Sequence, residues 1–304
     1  MSPQLRTHSM TSGLPSTKIS TLIGDFPHTR AFRSGVLQSP SVALDIAPFP
    51  VAFPAFSRAV AMEFDVSELS LVTFLQARAA GRKLSLLPAV TMSRFQHPYL
   101  VFDSAKGAMT PKDLEGARVA VRLFTSTTAS WLRGILVNEY DVDVTKIRWL
   151  AHQEPNVPEW TDPPNVTRVP KMDLSEMLFS GEVDAIVVTP VPTDPRIQPV
   201  IPDPVAAMRS WQARNNAIQI NHMMVVKDDF AESNPAAVRE VWRMLKESKR
   251  MANEPAEKAA FTPYGIEANR HNIDVLINYM VTTGMIPRRF AVDDLFNDVT
   301  RTLA

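Results

Sequence analysis

The chain has 304 residues, 45% of them apolar, enough for one large domain or two smaller ones around a packed core. Its 32 basic and 32 acidic side chains balance to zero without long runs of one sign, which excludes nucleic acid as the main partner, because phosphate binding needs clustered Lys and Arg. There is no cysteine, so disulfides, thiolate metal sites and cysteine nucleophiles are excluded as well.

The first residues, MSPQLRTHSMTSGLPSTK, are polar and rich in Ser, Thr and Pro, so residues 1–17 read as a loose arm. They lack the continuous apolar core of a secretory signal, and no later segment has the uninterrupted apolar length of a membrane span. A cytoplasmic protein without a membrane partner is the expectation. Lys18 to Gly24 alternates and predicts a strand. Across Val60 to Gly81 the apolar residues Val66, Leu69, Val72, Phe74 and Leu75 share a helical face, which predicts one helix closed by Gly81 and starting near Ser67 and Glu68. Leu84 to Val90 and Tyr99 to Asp103 predict two further strands. Thr110-Pro111-Lys112-Asp113 is a helix start ending at Gly116.

The stretch from Arg118 to Tyr140 carries the most information. It reads as a buried strand (RVAV), a turn with four successive hydroxyls (Thr125, Ser126, Thr127, Thr128), and an amphipathic helix. Free N–H groups at a helix start, the positive end of the helix dipole and nearby hydroxyls favour an anion. Ordinary capping by one Ser or Thr explains the same pattern without a ligand. Four hydroxyls exceed one cap, so both readings stand.

Two Pro-rich stretches, His152 to Pro170 and Thr189 to Pro204, predict irregular surface segments of the kind that form lids or binding edges. Between them Asp173 caps a short helix ended by Gly181, and DAIVVTP follows as a buried strand. Alternating strands and helices predict an α/β fold with parallel sheets. Asn234-Pro235 starts a long helix, and two more are predicted around Ile266 to Thr283 and Val292 to Leu303, their apolar stripes facing the core.

Several stretches in order resemble the 4,5-dihydroxyphthalate decarboxylases: GDFPHT (Gly24–Thr29), FDVSELS (Phe64–Ser70), RFQHPYLVF (Arg94–Phe102), TPKDLEGARVAV (Thr110–Val121), WLRGILVNEYDV (Trp131–Val142), NHMMVVKDDF (Asn221–Phe230) and TPYGIEANR (Thr262–Arg270). The resemblance runs from about Ile19 to the C-terminus. It implies a two-lobed type II periplasmic-binding-protein-like fold with a central interlobe cleft and C-terminal helices. Lobe one would comprise residues 18–106 and 221–304, and lobe two residues 107–220. The hydroxyl turn would then lie at the cleft, facing the start of the Ser67–Glu68 helix.

The implied activity is decarboxylation of a hydroxylated aromatic (di)carboxylic acid by protonation of a ring carbon and loss of carbon dioxide. The substrate's own phenol can polarise the ring, so no cofactor is required. His97 and His222 are the candidate proton donors, with Glu68 orienting one of them; a satisfied core histidine and a first-turn acid are the plainer alternatives. Arg94, Arg122 and Arg133 are candidates for the carboxylates, with Ser67, Asp25 and the hydroxyls Thr125 to Thr128 beside them. If His97, His222 and an acid converged, they could hold a divalent metal. The chain departs from the family pattern at Ser93 and Gln96, where arginines are expected, and at Arg122-Leu123-Phe124, where Pro-Glu-Tyr is expected. A lost acid and a gained Arg leave two alternatives open: a solute-binding protein for an aromatic or other small carboxylate, and a catalytically silent sensor. A homodimer through the C-terminal helices is a further expectation.

Overall fold

The computed structural model describes residues 16–303. The predicted arm therefore lies almost wholly outside the described residues, and its last residue, Thr17, already opens the first strand. In chain order the strands are β1 (Thr17–Leu22), β2 (Val42–Ile46), β3 (Val66–Ser70), β4 (Leu84–Ser93), β5 (Leu100–Asp103), β6 (Arg118–Val121), β7 (Arg148–Ala151), β8 (Val166–Arg168), β9 (Ala185–Val187), β10 (Ile197–Pro199) and β11 (Ile220–Lys227). They form two sheets among the described residues, ordered β2-β1-β3-β11-β4 and β10-β5-β9-β6-β7-β8. The first is parallel at β2-β1-β3 and antiparallel where β11 enters between β3 and β4. In the second, β9-β6-β7-β8 run parallel, and β5 lies antiparallel to both of its neighbours, β9 and β10.

This is the expected α/β architecture of two lobes, with two differences at their border. Leu100–Asp103 already pairs in the second sheet, so that sheet begins earlier than residue 107. Ile220 pairs with Ser93 in the first sheet.

Two predicted helices and the two Pro-rich stretches are corrected. The single helix expected across Val60 to Gly81 is a short helix (Phe56–Val60), then strand β3, then a helix (Leu71–Ala79). All five residues of β3 are buried, so it shows no alternation, and helical spacing of its apolar residues is coincidental. The helix predicted over Val292 to Leu303 is two short 3-10 turns, Val292–Leu295 and Thr300–Thr302. Between them Phe296 is extended, and the Asn297 side chain accepts hydrogen bonds from the N–H groups of Val299 and Thr300, which competes with helix formation. The two Pro-rich stretches are not wholly irregular, because each contributes one short strand. Those strands, β8 and β10, lie at the two edges of their sheet, where proline is tolerated.

An aromatic layer ties the lobes together. Trp131, on the Thr127–Tyr140 helix, donates its indole N–H to Ile220 O at 2.9 Å, which fixes the second lobe's first helix against β11. Trp211 donates to the Tyr279 hydroxyl at 3.0 Å, and the Trp131 ring packs edge-on against both. Gly134 lets the Thr127–Tyr140 helix approach the Ile266–Thr282 helix: a Cβ there would fall 2.1 Å from the Tyr279 ring. Substitution Gly134→Ala is expected to lower the free energy of unfolding by about 1–3 kcal/mol, the usual cost of overpacking; an unchanged denaturant midpoint would contradict this packing.

Candidate functional site

Both sheets end a buried parallel strand in a Ser-capped helix at the same place. On the first lobe β3 runs into the Leu71–Ala79 helix, where the Ser70 hydroxyl accepts from Thr73 N–H at 3.1 Å. On the second, β6 runs through the hydroxyl turn into the Thr127–Tyr140 helix, where Ser126 accepts from Ala129 N–H. The two helix starts meet across the lobes, with the Ser70 cap Oγ 2.7 Å from Oγ1 of Thr127, the residue after the Ser126 cap. Two helix N-termini thus open on one cleft of about 500 Å³, a size suited to a small aromatic ligand. The cleft lies at the carboxyl ends of parallel strands, where ligands bind in open α/β sheets.

The electrostatics point one way. Arg94 and Arg122 both line the cleft, and no Asp or Glu does. Burial lowers the pKa of each guanidinium, and neither has a carboxylate partner to offset it. Arg94 lies over the Tyr99 ring and within 3.5 Å of Thr128 Oγ1, and its Nε is buried without a partner. Arg122 bonds Gln153 Oε1 at 2.8 Å and stacks on Phe53 of the other lobe. Two cations, two helix starts and the hydroxyls of Ser126, Thr127 and Thr128 make a cradle of the kind that suits an anion.

At one side of the cradle stands His222. Its Nδ1 is 2.6 Å from Glu68 Oε1, and its ring packs edge-on against Phe56. Glu68 is fully buried on the central strand of the first sheet, and its other oxygen accepts from Gly24 N–H at 2.8 Å. A carboxylate on Nδ1 fixes the imidazole orientation and leaves Nε2 as the working nitrogen of a residue that lines the cleft. His222 sits where the β11–β4 register is irregular, a device that re-aims a side chain beside a site. Gly24 is required by close approach: a Cβ there would lie 2.8 Å from the Phe26 ring and 3.1 Å from the Glu68 carboxylate.

The structure therefore joins His222, Glu68, Arg94, Arg122, Ser126, Thr127 and Thr128, and leaves the other candidates outside. Glu68 is not a first-turn helix acid but a strand residue. Ser67, its neighbour on β3, points to the opposite face of the sheet. Asp25 is exposed and pairs with Arg30 at 3.0 Å. Thr125 is buried and does not line the cleft. Arg133 is buried within the second lobe, held by Phe124 O and Ser130 Oγ. His97 packs against Phe95 and Trp211 and is absent from the cleft wall. The ligand set of His97, His222 and an acid is thus not assembled, and no group of three His, Cys, Asp or Glu able to hold a metal occurs among the described residues. Sequence reasoning missed Ser70, Phe53, Phe56, Gln153, Asn156 and Asn221, which also line the cleft. Ser70 and Asn221 lie inside stretches already quoted for the resemblance, and Gln153 and Asn156 inside the first Pro-rich stretch; Phe53 and Phe56 carried no signal.

No family model matches the chain. A 4,5-dihydroxyphthalate decarboxylase of Comamonas testosteroni is 25% identical over 92% of this chain and 96% of its own length. The chain resembles the 4,5-dihydroxyphthalate decarboxylases over most of its length. A second protein of that name, from Pseudomonas putida, is 26% identical over 64% of this chain and 80% of its own length. Among solved structures, the periplasmic aliphatic sulphonate binding protein of Escherichia coli aligns with a TM-score of 0.55 at 14% identity, covering 93% of this chain and 98% of that one. The fold is that of the type II periplasmic binding proteins.

His97 generates a test of its own. Burial, and secondarily the charge of Arg214, push its pKa from 6.5 down to about 4. The unfolded chain then binds the proton that the folded chain refuses, so stability falls as pH drops through that window, by up to about 3 kcal/mol. His97→Gln should flatten that part of the stability-pH curve; an unaltered slope would mean that His97 is not buried neutral.

Proposed function

We propose that the protein is a decarboxylase of a hydroxylated aromatic dicarboxylic acid such as 4,5-dihydroxyphthalate. The observation that carries this reading is the Glu68–His222 pair at the edge of an acid-free cradle with two unpaired arginines. A binding protein needs the cradle; a histidine held at Nδ1 by a buried carboxylate adds a positioned proton donor.

The chemistry follows from the substrate. A dicarboxylate places one carboxylate on each part of the cradle, read by Arg94 and Arg122 and by the two helix starts. Protonated His222 gives the Nε2 proton to the ring carbon that bears the departing carboxylate. The hydroxyl para to that carbon delocalises the positive charge left on the ring. The carbon–carbon bond then breaks, its electron pair restores the aromatic ring, and carbon dioxide leaves. One proton is consumed per turnover, and His222 recovers it from solvent. Glu68 keeps the imidazole aligned.

Location in the cytoplasm belongs to the same proposal. The second reading, a solute-binding protein for a small carboxylate, is favoured by the similarity in fold to a sulphonate binding protein. It predicts tight binding without turnover and recovery of the full-length protein from the periplasmic fraction.

Incubation with 4,5-dihydroxyphthalate should release carbon dioxide and 3,4-dihydroxybenzoate in equal amounts. His222→Gln is expected to lower kcat by about 10²–10⁴-fold with binding retained, as for loss of a general acid. Arg94→Met should act mainly on KM, raising it about tenfold or more. Full activity of His222→Gln would sink the proton-donor assignment, and binding without any product would favour the second reading.

A further inference from the structure

Arg133 is a buried cation of the second lobe. Only 2% of it is exposed. Its fork donates to Phe124 O at 3.0 Å and to Ser130 Oγ at 3.1 Å, touches Met285 Sδ, and lies 4.0 Å over the Phe124 ring; its Nε is buried without a partner. Burial alone pushes its pKa down to about 9, with no acid beside it. An unpaired buried cation costs several kcal/mol and is retained only where something else repays it.

The position of the guanidinium suggests what does. Phe124 and Ser130 bracket the turn whose intervening residues Ser126, Thr127 and Thr128 line the cleft. Helical side chains lean toward the N-terminus, so the charge lies behind the first turn, in line with the positive end of the helix dipole. The same fork that braces the turn thus adds a fixed positive charge behind it, shielded from water by Phe124, Trp149 and Met285. An anion in the cleft becomes its counter-ion through a medium where charge acts more strongly than in solvent.

We propose that Arg133 is a positioning residue that sets the preference of the cleft for dianions over monoanions without touching the ligand. This rests on the carboxylate reading of the cleft but not on catalysis, so it is tested by binding. Phthalate and benzoate serve as dianionic and monoanionic probes, titrated by calorimetry into the wild type, Arg133→Met and Arg133→Lys. Arg133→Met should weaken phthalate about tenfold more than benzoate, whereas Arg133→Lys, which keeps the charge and loses the fork, should weaken both by a similar factor. Equal loss for both probes in Arg133→Met would reduce Arg133 to a brace and overturn the proposal. Should Arg133→Met not fold, the wild type decides: a buried charge is weakly screened, so the phthalate preference should survive 0.5 M salt (about a 4–5 Å screening length), while its collapse would assign it to Arg122, which is more open to solvent than Arg133. Binding of neither probe by the wild type would overturn both the cleft reading and this assignment; binding with an unchanged ratio would overturn this assignment alone.

Discussion

The carboxylate of Glu68 is withdrawn from water on the central strand of the first sheet and accepts two hydrogen bonds there, one from Gly24 N–H and one from the His222 imidazole. A buried carboxylate is costly unless its lone pairs are met. Meeting them fixes three separate pieces of chain: the loop after β1, the strand β3, and the irregular point on β11 where His222 turns toward the cleft. Remove the carboxylate and the histidine loses its orientation, the loop loses its anchor, and one wall of the cleft is no longer defined. The need for close approach at Gly24 shows how little room the arrangement leaves.

Around that fixed point the two lobes contribute alike. Each delivers a buried strand into a Ser-capped helix, and the helix starts touch through Ser70 and Thr127. This doubles the positive end-charge of a helix at one spot, and Arg94 and Arg122 add to it with no acid on the lining to cancel them. Such a cradle is what a binding protein of this fold needs. The step toward chemistry is small: one histidine at the edge, held by one buried acid. The indole bond from Trp131 to Ile220 joins the two, since it fixes the cleft-lining helix two residues from His222.

Much of this was legible in the chain. RVAV, the hydroxyl turn and its helix fall where spacing put them, because a short apolar run, a Ser cap and helical spacing leave clear marks. FDVSELS was misread because a strand buried on both faces has no alternation, and its acid looked like a helix-dipole residue. The same error hid the reason Glu68 matters. His97 and Arg133 look like ligand residues from their chemistry, yet both are interior. Sequence cannot tell a histidine packed on Trp211 from one that faces a cleft. β2, β7 and the Pro204–Asn215 helix gave no readable pattern, being short or weakly amphipathic.

The central claim is geometric: a dicarboxylate lies between the two helix starts with a ring carbon under His222. The most direct measurement is a structure of the protein with bound 4,5-dihydroxyphthalate, trapped in the His222→Gln variant. The account predicts carboxylates at Arg94, Arg122 and the Ser70 and Thr127 helix starts, and residue 222 about 3–3.5 Å from a carboxylate-bearing ring carbon. A ligand seated with its carboxylates away from both helix starts, or with its ring carbons well beyond contact with residue 222, would contradict it.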